Sequence, residues 1–209
     1  MNLKALVVGV ALLVPGCDDL SSGWFYDRTN TGTLKGRLIV EWIDQDKFIF
    51  EPDPQDPLTF VRKDNDVIRP QTMFTDGGTI PAPLRALKSY SPWGYAPAFI
   101  IHDWLFVMKH CKIAGFEKYD LDKAATVMAE VMKTVMENPK YGGANKLVHH
   151  SMYEGVRSPT AKGYWDNGTC DTPSGPKSTA GPDSARQSAR PMPRSSPGEP
   201  ARPRFVIQF

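Results

Sequence analysis

From Pro97 to Met108 the chain reads P-A-F-I-I-H-D-W-L-F-V-M, an apolar run interrupted only by His102 and Asp103. A helix that is hydrophobic on nearly every side must be buried on nearly every side, and a proline suits its first turn. The run therefore predicts a core helix that carries two ionisable groups inward. An unsatisfied buried polar group costs about 1–3 kcal/mol, and an unpaired charge more. Neighbours on a helix point about 100° apart, so each of these two side chains needs a partner from elsewhere. Asp76, in the glycine turn T-D-G-G-T-I-P that starts at Thr75, is one supplier, and Asp122 at the start of the next helix is another. Thr75, Thr79 and the amides of Gly77 and Gly78 are also available.

Upstream of that helix the pattern is that of strands. Leu34 to Ile43 alternates apolar and polar residues, and Lys47 to Glu51 forms a second strand across the turn residues Asp44-Gln45-Asp46. Leu58 to Arg62, Val67 to Arg69 and Met73-Phe74 complete a small antiparallel sheet, with Pro52 and Pro54 breaking the second strand. Downstream, Leu121, Ala124, Ala125, Met128, Val131, Met132, Val135 and Met136 follow three-four spacing behind Asp120, a capping residue. A third helical stretch covers Ala144 to Val156. Strands first and helices later is the signature of an α+β domain. One domain over residues 34–166 is expected, with an antiparallel sheet from its first half packed on about three helices from its second.

The ends look different. Residues 1–16 carry Lys4 and an apolar stretch from Ala5 to Val14, too short to span a bilayer and typical of a secretory signal. It runs into Val14-Pro15-Gly16-Cys17, which resembles the lipobox of bacterial lipoproteins, with Pro15 in place of the usual small residue. That resemblance implies an acylated Cys17, attachment to a membrane, and a domain facing the periplasm. Asp18 resembles the residue that retains such proteins at the inner membrane. The alternative is a plain signal peptide or a short membrane anchor. Residues 17–33 read as a polar tether. With Cys17 lipidated, Cys111 and Cys170 remain as a pair that an oxidising compartment allows to bridge; the alternative is two thiols. Residues 167–209, rich in Pro, Ser, Gly and Arg, read as a disordered tail. Its arginines are scattered, the net charge is only +2, and no nucleic-acid motif accompanies them, so no nucleic-acid partner is expected.

An imidazole oriented by one carboxylate, beside a second carboxylate and free backbone N–H groups, is a workable general base with a metal or oxyanion position next to it. This casts His102, Asp122 and Asp76 as the candidate catalytic set, with Asp103 and Asp76 as candidate metal ligands. The competing reading is a polar network that locks sheet to helix. No Gly-x-Ser-x-Gly elbow, Walker loop or Rossmann glycine loop is present.

Together, G-R-L-I-V from Gly36, T-D-G-G-T-I-P from Thr75, H-D-W-L-F from His102 and the Asp122 helix resemble domain-of-unknown-function family 1353 of bacteria and phages. Its pattern is T-D-G-A-S-I-P, H-D-x-L-Y and A-D-x-x-F. Gly78, Thr79, Phe106 and Leu121 depart from it. The resemblance covers roughly residues 34–163 and implies no reaction. A shorter likeness joins His102-Asp103 and Phe106 to the H-D-x-C-Y motif of secreted phospholipases A2. It implies His102 as base, Asp103 as calcium ligand and Asp122 as orienting carboxylate; Leu105 and Phe106 depart from the motif, and the family's calcium loop is absent. The expectation is a lipid-anchored hydrolase of lipid, peptide or cell-wall substrates. The alternative is a binding or structural module, of prophage origin, in which the same cluster only holds the fold.

Overall fold

The computed structural model describes residues 17–44, 47–76, 92–141, 143–173 and 204–209. The fold is α+β, as the order of elements implies. Its strands, however, form two sheets. β1 (Thr33–Lys35) pairs with β4 (Thr59–Val61), and β4 with β5 (Val67–Ile68). β2 (Arg37–Asp44), β3 (Lys47–Pro52), β6 (Met73–Thr75) and β7 (Arg204–Gln208) form the second sheet, in the order β6-β3-β2-β7. Every ladder in both is antiparallel.

Gly36 divides what the alternation pattern presents as one strand. Its φ is +102°, and a Cβ there would lie 2.3 Å from the Pro57 carbonyl oxygen. Only glycine takes that angle at that approach without strain. Past it, Leu38 and Val40 point into the core beside Phe50 and Met73, all four fully buried.

The helices are α1 (Cys17–Arg28), α2 (Ala96–His110), α3 (Leu121–Met136), α4 (Lys146–Gly155) and α5 (Pro159–Asn167). Side-chain caps start the last three: Asp120 accepts from the Lys123 amide at 2.7 Å, Asn145 from Val148 at 3.0 Å, and Ser158 from Ala161 at 3.3 Å. α2 is the core helix that its composition requires, with Ile100, Ile101 and Leu105 almost completely enclosed.

Two further elements replace expected irregular chain. Where a tether is expected, α1 forms and docks on α4. Ser22, Phe25 and Tyr26 recur at helical spacing; Ser22 and Tyr26 are buried, and the Phe25 ring sits 4.3 Å from that of Tyr153. Lys133 of α3 donates to the carbonyls of Tyr26 and Thr29, both at 2.8 Å, satisfying groups that a helix end leaves open. Within the expected disordered tail, Arg204–Gln208 adds β7 to the edge of β2, Arg204 pairs with Glu51 at 2.7 Å, and the Phe209 ring lies 5.2 Å from that of Tyr141. Asn167 belongs to α5. Residues 1–16 and most of the tail, 174–203, lie outside the described residues.

The two layers are joined by charge. Arg62 on the strand layer donates to Glu130 of α3 through Nε at 2.7 Å and Nη2 at 3.0 Å, with the two side chains only 9% and 4% exposed. Removing one partner of such a pair strands the other charge. Glu130→Ala is expected to lower the unfolding free energy by about 3–5 kcal/mol, read from urea denaturation. The exposed pair of Asp122 and Arg157 (2.7 Å) contributes about 1 kcal/mol or less by the same measurement on Asp122→Ala.

His149 gives a pH signature. It is fully buried between α4, α3 and α1, and its Nε2 lies 2.9 Å from the Ala129 carbonyl. Burial, with the Lys133 charge beside it, lowers its pKa from 6.5 to about 4 despite that carbonyl. Between those two values the unfolded chain binds the proton and the folded one does not, so stability falls as pH drops through the window. His149→Leu is expected to flatten the pH dependence of the urea midpoint from pH 6.5 to 4. An unchanged slope would show that His149 does not titrate this way.

Candidate functional site

β6 ends at Thr75, which is buried, and hands the chain to Asp76, which is exposed. This brings a hydroxyl from the sheet against the middle of α2. Thr75 Oγ1 donates to Asp103 Oδ2 at 2.6 Å, and the other carboxylate oxygen lies 3.9 Å from His102 Nδ1. That distance is too long for a hydrogen bond. One turn further along, the Phe106 ring stands 5.0 Å from the imidazole and closes its other side. His102 is 7% exposed, and its Nε2 has no hydrogen-bond partner among the described residues.

Burial raises the Asp103 pKa, and the neighbouring negative charge of Asp76 pushes it the same way. His102 and the Thr75 hydroxyl oppose the shift without cancelling it. The carboxyl is thus held toward its protonated form beside an imidazole whose far nitrogen is unmet. The chemistry this permits is proton transfer at Nε2, with the Asp103 carboxyl close to, but not hydrogen-bonded to, Nδ1.

Of the expected cluster, Asp76, His102 and Asp103 come together around Thr75. Asp122 does not join them. Its carboxylate is 70% exposed and accepts from Arg157 Nε at 2.7 Å, because the first turn of α3 faces the end of α4. An orienting role toward His102 is therefore corrected to a surface ion pair. Gly77, Gly78 and Thr79 lie outside the described residues.

Calcium does not fit the described residues either. The ion takes about six to eight oxygen ligands, whereas Asp76 and Asp103 are two carboxylates, the second already bonded to Thr75 and biased toward neutrality. No group of three or more His, Cys, Asp or Glu side chains converges among the described residues.

The remaining histidines have other surroundings. His110 Nε2 lies 3.3 Å from the Trp165 carbonyl oxygen, next to the disulfide that joins Cys111 to Cys170. That bridge ties the chain after α5 to the end of α2. His149 is enclosed, and His150 Nε2 lies 3.8 Å from Glu154. Thr75 is the residue whose weight the sequence understates: listing it among several donors does not single it out, yet it makes the closest contact in the cluster. Its place directly before Asp76, on an inward strand position, is the signal that could have ranked it first.

Against this geometry, no family model, curated protein or solved structure matches the chain. Among the described residues no helix is long and apolar enough to cross a membrane.

A carboxyl with a raised pKa stabilises the fold at low pH, and that contribution is lost as pH climbs above its unfolded value. Asp103→Asn keeps an acceptor for Thr75 but cannot ionise. Relative to the parent protein it is expected to be more stable at pH 7 than at pH 3, measured as the difference in urea midpoint. A variant that loses stability most at neutral pH would instead place a needed charge on Asp103.

Proposed function

We propose that the protein is a lipid-anchored domain of the bacterial cell envelope whose His102, Asp103 and Asp76 centre performs general-base hydrolysis. The observation that carries the catalytic part is the unmet Nε2 of His102. A network that served only the fold would satisfy its buried nitrogens, since nearly all such groups are paired. Tyr26 Oη and His149 Nδ1 share that unmet state. What distinguishes His102 is a half-buried acid, Asp103, next to it, with the exposed Asp76 acting electrostatically on that acid.

The anchor is supported by the apolar leader before Cys17 and by the Cys111–Cys170 bridge, which suits an oxidising compartment. Asp18 favours the inner membrane, and the motifs shared with domain-of-unknown-function family 1353 favour a phage-derived origin. Lipid, peptide and cell-wall substrates are the classes such a position offers. The second reading is structural. The Thr75–Asp103 bond joins β6 to α2 across 28 residues of sequence, and His102 is enclosed.

His102→Gln separates the two. In the catalytic case its melting temperature stays within about 5 °C of the parent, while turnover on the responsive class among carboxyl esters, phospholipid vesicles and muropeptides falls about 100-fold or more. A parent protein inert on all three classes, or a variant without a cooperative melt, leaves the structural reading standing.

A further inference from the structure

We propose that the end of the fold where α1 and α3 begin and α4 finishes rests directly on the phospholipid bilayer, with no spacer between anchor and domain. This rests on the reading of Cys17 as the acylated residue. α1 starts at Cys17, and Ser22, five residues on, is already fully buried. Five residues of helix span about 8 Å. The helix cannot swing away from the domain without exposing Tyr26 and breaking the two bonds from Lys133.

Three sets of contacts identify the end that faces the lipid. α1 runs antiparallel to α4: Asp27 near its finish meets Lys146 at the start of α4 at 3.0 Å, whereas Phe25, earlier in α1, packs on Tyr153, later in α4. α3 is antiparallel to α4 as well, with Asp122 meeting Arg157 and Ala129 meeting His149. The starts of α1 and α3 therefore share one end with the finish of α4. α5 begins there too, held beside the last turns of α2 by the Phe106–Trp165 contact at 4.8 Å. It exposes Lys162, paired with Asp166, and, about 200° round the helix, Tyr164, 65% and 63% exposed. Both side-chain types settle at the headgroup level, with apolar body inward and polar tip in water. Charge does not draw this end to the lipid, since Asp18, Asp19, Asp122 and Glu154 outweigh Arg157 and Asp166 pairs with Lys162. The acyl chains supply the affinity and the docked helix supplies the orientation.

The test uses the full acylated chain in vesicles of phosphatidylethanolamine and phosphatidylglycerol, with a nitroxide on Lys162→Cys or on Leu147→Cys. Leu147 is 56% exposed at the opposite end of α4. With Cys17 acylated and Cys111 joined to Cys170, only the added thiol takes the label. The label at position 162 is expected to lose most of its collisions with a water-soluble nickel chelate, while that at 147 keeps them. Inserting about ten Gly/Ser residues after Asp19 supplies a flexible spacer and should restore the collisions at 162. Equal accessibility at the two positions in acylated protein overturns the proposal and leaves the anchor intact. A mass without acyl chains on Cys17 overturns the anchor, and this inference with it.

Discussion

The fold depends on one turn of α3 that carries two charges into the interior. Glu130 and Lys133 lie three residues apart, both buried. Glu130 takes a bidentate grip from Arg62 of the strand layer, while Lys133 holds the Tyr26 carbonyl of α1 and that of Thr29 just past it, and faces the Tyr26 ring at 4.8 Å. Thr134, next along, accepts from the Gly32 amide at 3.0 Å just before β1. Charges so enclosed are tolerable only when their hydrogen-bonding capacity is met by fixed partners. The partners come from two separate parts of the chain, residues 26–32 and Arg62, so satisfying α3 draws both onto it.

The candidate site obeys a different logic. Its carboxyl is biased toward the protonated form by burial and by a like charge, and its imidazole keeps an unmet nitrogen. Both features work against stability, whereas the Glu130 and Lys133 arrangement works for it. Groups held away from their most stable state in an otherwise well-satisfied interior mark places where a fold gives up stability for chemistry. The bond from Thr75 keeps this centre in register with the sheet, which makes the end of β6 part of the site as well as part of the scaffold.

The peripheral elements bring residues 17–28 and 204–209 into the body of the domain. α1 stacks Phe25 and Tyr26 on α4, and β7 covers the outer edge of β2. An uncovered strand edge is a template for unwanted pairing, so β7 protects β2, the longest strand among the described residues. It is held by the Arg204 ion pairs, by the Tyr141 hydroxyl donating to the Gln208 carbonyl, and by Phe209 stacking on the same tyrosine.

Much of this is legible in the residues alone. The apolar run around His102 dictates a core helix, the three-four spacing from Leu121 dictates α3, Asp120 caps it, and strands before helices dictate an α+β domain, because each depends only on near neighbours in sequence. Phe205, Val206 and Ile207 also carry a strand signal, but the Pro- and Arg-rich chain before them obscures it. What the sequence cannot decide is which distant groups meet. Asp76 and Asp122 look equally fit to serve His102. Tertiary packing brings the charge of Asp76 to bear on Asp103, next to Thr75, and sends Asp122 to Arg157, because the first turn of α3 faces the finish of α4. The burial of Lys133 against α1 is equally invisible beforehand, since a lysine at helical spacing reads as a solvated face until another helix arrives to cover it.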